Sequence, residues 1–166
     1  MGIYPLEQLE GEIRANPERW RPLVFTNGCF DLLHAGHVRY LQTAKMLGKS
    51  LVVGLNSDVS VNQLKPPQPG MPSRPLIPEN QRAEVLAALK AVDGVVIFPQ
   101  LTATHLLETL KPEIYVKGGD YTPETLPEYP DVVAYGGRIE LVKVEVPSST
   151  TAIVKRILQT SQTSIM

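Results

Sequence analysis

The stretch "LVFTNGCFDLLHAGH", Leu23 to His37, runs from a short apolar block into a turn that holds two of the chain's three histidines, His34 and His37. The adjoining segment "HVRYLQTAKMLG" places Val38, Leu41, Ala44 and Leu47 on one stripe of a helix, with Gly48 expected as its left-handed stop. A β-rich block, a glycine-bearing turn and an amphipathic helix make the first half of a βαβ unit.

The same rhythm recurs along the chain. Further short β-branched blocks stand at "LVVGL" (51 to 55), "VVIF" (95 to 98), "IYV" (114 to 116) and "IELVKVEV" (139 to 146). The expectation is an α/β fold: a Rossmann-like, doubly wound parallel sheet of five strands with helices on both faces, in one domain. Residues 1–22 are expected to be an N-terminal helical extension, and residues 23–166 the domain. Pro78 suits the first turn of a helix that buries Val85, Leu86 and Leu89. "SSTTAIVKRIL" begins with hydroxyl caps and is expected to pack Ile153, Val154, Ile157 and Leu158. Residues 65–78, "KPPQPGMPSRPLIP", hold too much proline for regular structure and form a long loop. A second irregular connection, "YTPETLPEYPDVVAYGG", has room for one short helix before Gly136.

Composition narrows the partners. The chain has 166 residues and a net charge of -1, spread without blocks, which gives no electrostatic footprint for nucleic acid or a membrane surface. Small molecules are the expected ligands. Cys29 is the only cysteine, so no internal disulfide forms. With no leader-like start and no apolar run of spanning length, the expected location is the cytoplasm, with a homodimer as one option for its assembly.

In open α/β sheets, ligands bind beyond the carboxyl ends of the strands, where the first block meets "TNGCFDLLHAGH". A helix starting near Ala35 or Gly36 aims free N–H groups and the positive end of its dipole there, which favours phosphate. Gly28 and Gly36 admit close backbone approach, and His34 and His37 can reach one anion. The plainer alternative makes His34 a helix cap and His37 polar filler. A zinc site using Cys29, His34 and His37 lacks a nearby fourth ligand. The hydroxyls and N–H groups of "SSTT" form a second candidate anion site, while Ser148 or Ser149 alone would satisfy an ordinary cap. Cys29 reads as a small apolar residue in a tight turn, and His105 as a surface or packing residue.

"HAGH" fits the HxGH signature of the cytidylyltransferase-like nucleotidyltransferases. Together with "VGLNSD", "SRPLIPENQRAEVLAAL", "VDGVVIF", "LKPEIYVKGGDY" and "SSTTAIVKRI", the chain resembles the heptose 1-phosphate adenylyltransferases in that superfamily. The resemblance implies ATP as substrate, magnesium with it, a sugar phosphate as acceptor and pyrophosphate as product. It implies catalytic roles for His34, His37 and Lys65. Nucleotide contacts are implied for Thr26, Asn27, Gly28, Phe30, Gly36, Arg82, Lys117, Gly119, Asp120, Ser149, Thr150 and Thr151. Asp31, Asn56 and Arg74 are implied on the acceptor side, and magnesium is held by phosphates rather than by protein ligands. Pro147 stands where similar proteins usually have glycine. A cytidylyltransferase for glycerol 3-phosphate or a choline- or ethanolamine-type phosphate is the alternative, and a non-catalytic nucleotide-binding module is a third reading.

Overall fold

The computed structural model describes residues 2–119, 122–143 and 149–163. Its first half contains β1 (Gly2–Ile3), α1 (Leu6–Ala15), α2 (Pro17–Trp20), β2 (Leu23–Gly28), α3 (Ala35–Lys45), β3 (Ser50–Asn56) and α4 (Asp58–Leu64). Then come α5 (Glu79–Ala87), β4 (Gly94–Phe98), α6 (Thr104–Leu110), β5 (Ile114–Gly118), α7 (Tyr129–Ala134), β6 (Arg138–Val142) and α8 (Thr150–Thr163). The sheet is parallel throughout, in the order β1-β4-β3-β2-β5-β6.

The sheet has six strands where the sequence suggested five. The addition is β1, two residues beside Gly94 and Val95 of β4, too short to show any period. Residues 1–22 are therefore not helical alone: they supply an edge strand, and Leu9, Ile13 and Trp20 lie in one of the two cores.

Alternation along the strands divides those cores. Val24, Leu51, Val53, Leu55, Ile114 and Val116 face α3 and α5, whereas Phe25, Val52, Val96, Phe98 and Tyr115 face α1, α2, α6 and α7. β3 is buried at every residue, as expected for a parallel strand covered on both faces. Each fully buried Leu, Val or Phe contributes about 1.5–3 kcal/mol by leaving water.

Several local expectations are corrected. Gly48 does not adopt a left-handed conformation; a Cβ there would lie 2.6 Å from the Pro22 carbonyl oxygen, so close approach explains the glycine. In α5 the inward face is Arg82, Ala83 and Leu86, and Val85 is 50% exposed. On α8 Val154 is buried, but Ile157 and Leu158 are exposed. α4, capped by the Ser57 hydroxyl through Ser60 N, precedes the proline-rich loop and carries little of the periodicity that signals a helix. Among the described residues, no helix is long and apolar enough to cross a membrane.

The chain leaves β2 for β3 and β4 on one side, then crosses back to β5 on the other. β2 and β5 thus flank the point where winding reverses, and the crevice beyond their carboxyl ends is where such sheets take ligands. Tyr40 of α3 pins that seam: its hydroxyl meets Thr26 Oγ1 of β2 at 2.7 Å and donates to the Val116 carbonyl of β5 at 3.0 Å.

Candidate active site

Beyond those strand ends lies an open cleft of about 1010 Å³. His34 is the N-cap of α3 in extended conformation, and its Nδ1 accepts from Gly36 N at 3.2 Å. His37 Nδ1 in turn accepts from His34 N at 3.4 Å, and the two rings stand 3.9 Å apart between centroids. A neutral imidazole that accepts through Nδ1 carries its proton on Nε2. Each histidine therefore offers one N–H donor while its other nitrogen secures the turn. Capping and ligand contact, posed as alternatives by the sequence, are compatible here. Burial, helped by His34 alongside, lowers the His37 pKa to about 4, so near neutral pH it is an uncharged donor. Its ring packs on Phe30, whose φ of 42° is forced by the tight turn after β2.

The other described residues singled out from the sequence divide clearly. Lys65, Asn27, Gly28, Phe30, Gly36, Asp31, Asn56, Arg74, Lys117, Gly119, Ser149, Thr150 and Thr151 line the same cleft as the two histidines, but Thr26 and Arg82 do not. Thr26 is fully buried, its hydroxyl occupied by Tyr40. Arg82 is 1% exposed and bonds inward, to the carbonyls of Ile77 at 2.8 Å, Cys29 at 2.5 Å and Asn56 at 2.9 Å, and to Asp58 Oδ1 at 2.6 Å. It holds the β2–α3 loop, the end of β3 and the proline-rich loop together, and its side chain is fully shielded from the cleft in this conformation. Asp120, Pro147 and Ser148 lie outside the described residues.

Asp31 is equally committed. Its carboxylate accepts from Leu76 N at 2.8 Å and Ile77 N at 3.0 Å and pairs with Arg74 Nε. Residues 65–70 and 72–73 of the loop are exposed, whereas its far end is latched to the histidine turn through Asp31. Ser149 caps α8: its Oγ accepts from Ala152 N at 3.1 Å, and Thr150 and Thr151 face the same cleft. Gly119 has φ of +130°, a conformation closed to most side chains, where the chain turns after β5.

Sequence reasoning missed Tyr40, Thr102, Glu128 and Lys143, all of which line the cleft. Tyr40 lies within the segment read as a helix, and Lys143 within the block read as a strand. No local pattern marks Glu128. The cations Lys65, Arg74, Lys117 and Lys143 face two carboxylates, Asp31 and Glu128, and Asp31 is already paired. The balance favours a polyanion, and two helix N-termini, of α3 and α8, point the same way.

The bifunctional protein HldE of Syntrophotalea carbinolica is 53% identical over 152 residues, which are 92% of this chain and 30% of that protein. Its counterpart in Geobacter metallireducens is 54% identical over 157 residues, 95% of this chain and 31% of that protein. The chain thus spans about a third of the length of these relatives. Among solved structures, the lipopolysaccharide core biosynthesis protein of Thermoplasma volcanium superposes with a TM-score of 0.59 at 26% identity, covering 75% of this chain and 97% of that one. Pantothenate synthetase of Thermus thermophilus shares the fold, with a TM-score of 0.55 at 14% identity over 87% of this chain and 61% of its own. The profile of one family, described as cytidylyltransferase-like, matches residues 25–164. With that match and these relatives, the chain belongs to the cytidylyltransferase-like family of nucleotidyltransferases.

Proposed function

We propose that the chain is an adenylyltransferase that transfers AMP from ATP to D-glycero-β-D-manno-heptose 1-phosphate, giving ADP-heptose and pyrophosphate. The observation that carries the reading is the pair of Nε2–H donors that His34 and His37 offer from the first turn of α3 into a cation-rich cleft. The likeness of "KGGDY" and "TNGCFD" to the heptose branch directs it to ATP and a sugar phosphate.

The chemistry needs little from the protein beyond position and charge. An oxygen of the acceptor phosphate attacks the α-phosphorus in line, forming one P–O bond while the bond to the β-phosphate oxygen breaks. Its electron pair leaves with pyrophosphate. The attacking oxygen is already anionic, so no general base is required. Negative charge grows on the non-bridging α-oxygens, and preorganised donors there stabilise the transition state more than the bound substrate. His34 and His37 serve the α- and β-phosphates, while Ser149, Thr150 and Thr151 at the start of α8 serve the terminal phosphates. Lys65 bridges the two substrates, Lys117 and Asn27 stand beside the nucleotide, and Gly119 and Asp120 meet its base and ribose. Asn56 faces the acceptor.

The true substrate is the magnesium complex of ATP. Asp31 is taken up by Arg74 and main-chain N–H groups, and among the described residues no three His, Cys, Asp or Glu side chains gather into a protein cage for the ion. The ion travels on phosphates and water.

The test is pyrophosphate release from each nucleoside triphosphate with a panel of sugar and polyol phosphates. ATP with the heptose 1-phosphate should be fastest, and faster turnover with CTP and a polyol phosphate would favour the cytidylyl alternative. No turnover with any pair would leave a nucleotide-binding module.

A further inference from the structure

At the ends of β2 and β5, one face of the sheet passes from apolar to polar. Phe25 pairs in register with Tyr115 within one core, and side chains alternate along a strand, so Asn27 and Lys117 come next on that same face. Asn27 and Lys117 line the cleft, whereas Tyr115 is fully buried and lies outside the lining. Three polar groups meet there. Asn27 Oδ1 accepts from Tyr115 Oη at 2.8 Å and from Lys117 Nζ at 2.9 Å. Lys117 Nζ also lies 5.3 Å from the centre of the Tyr115 ring.

An ammonium only donates, so Lys117 needs the oxygen end of the Asn27 amide, and a flipped amide would set an NH2 group against it. The Tyr115 hydroxyl donates to that same oxygen and opposes the flip. Burial first, and then the Glu128 carboxylate alongside, push the Tyr115 pKa up, so the phenol stays a neutral donor. Lys117 spends one N–H on Asn27 and has others to give to a ligand.

We propose that Tyr115 is a positioning residue: its hydroxyl fixes the Asn27 amide, whose oxygen in turn holds the Lys117 ammonium at the cleft, ready for a phosphoryl oxygen of the bound nucleotide. The ligand rests on the nucleotidyl-transfer reading above, whereas the linkage from Tyr115 to Lys117 rests on the two hydrogen bonds to Asn27 Oδ1.

Tyr115→Phe deletes the hydroxyl and keeps the ring beside Lys117 and Phe25. In lysine-labelled protein followed by NMR, the two Hε protons of Lys117 should be distinct in the parent and merge in the variant. KM for ATP should rise about 3- to 10-fold, the scale of one hydrogen bond, with kcat and KM for the acceptor within about 2-fold. In a Lys117→Met background, Tyr115→Phe should raise KM for ATP no further. Adding Asn27→Asp to Tyr115→Phe supplies an accepting oxygen at either end of the side chain, and should restore the distinct Lys117 signals. If Tyr115→Phe does not fold, Asn27→Leu approaches the linkage from its middle: the Lys117 signals should merge and the Tyr115 hydroxyl proton should exchange faster with water. Unchanged Lys117 signals in folded Tyr115→Phe or Asn27→Leu protein overturn the linkage, as does an equal rise in KM for ATP with and without Lys117. A rise in KM for the acceptor alone overturns the placement on the nucleotide. Merged signals in a chain that transfers no nucleotide uphold the linkage and refute only the adenylyltransferase reading.

Discussion

His34 and His37 lock each other in place through the main chain: the Nδ1 of each is tied to an amide of the same turn, at 3.2 and 3.4 Å, with the rings 3.9 Å apart. Neither can swing without opening the first turn of α3. This is the preorganisation that charge stabilisation in phosphoryl chemistry needs.

His37→Ala should therefore lower kcat by about 10² to 10³, with a smaller change in ATP affinity, the scale for one preorganised donor. The substitution also removes the acceptor for His34 N and the packing on Phe30. A stability cost of about 1 kcal/mol is expected with it. Single-turnover rates and denaturant melts on the same sample measure both.

The low pKa of His37 has a signed consequence for folding. In the unfolded chain its pKa returns to 6.5, against about 4 in the folded state, so between those values the unfolded chain binds more protons. His37 should contribute stability that is full above pH 6.5 and lost as the pH falls toward 4. Urea melts at about pH 7.5 and about pH 5 should show a steeper acid loss in the parent than in His37→Ala. Equal slopes would contradict the neutral, buried ring.

Arg82 is placed as a brace, bonded to three carbonyls and Asp58. Arg82→Ala strands three carbonyl oxygens and should cost about 2–4 kcal/mol. The cost should appear in the thermal midpoint as well as in activity. Unchanged stability with a raised KM for ATP would restore the phosphate-binding role.

The proline-rich loop should behave as a lid hinged on Asp31. Amide exchange across 65–73 is expected to slow when both substrates bind, while 76 and 77, held by the Asp31 carboxylate, are protected throughout. Asp31→Asn should release those two amides and speed proteolysis in the loop. Equal exchange with and without substrates would remove the lid.

Magnesium dependence is the last test of the transfer reading. Excess chelator should abolish turnover and excess magnesium restore it, with no change in the melting temperature of the substrate-free protein.

The parts of this molecule that repeat a period were readable from the chain alone. β2 to β6 and the parallel character of the sheet follow from β-branched blocks separated by helices, and the cleft from the rule for open sheets. What escaped depended on tertiary context. Arg82 has the exterior of a surface charge in "ENQR", and only the convergence of three carbonyls turns it inward. Asp31 looked available until Leu76 and Ile77, 45 and 46 residues away, claimed it. Glu128 and Lys143 reach the cleft from segments with no motif, and β1 is too short to carry one.

Tyr40, with its hydroxyl set between β2 and β5, gives the site a fixed half and a replaceable half. The histidine turn and the end of β5 share one anchor, so the phosphate geometry is inherited as a unit with the sheet. The 65–73 stretch meets that unit at its far end, through Asp31. On the transfer reading, insertions or exchanges in that stretch should alter acceptor preference more than they disturb the histidine turn. The loop can therefore change in length or composition while the histidine turn and the end of β5 stay anchored together.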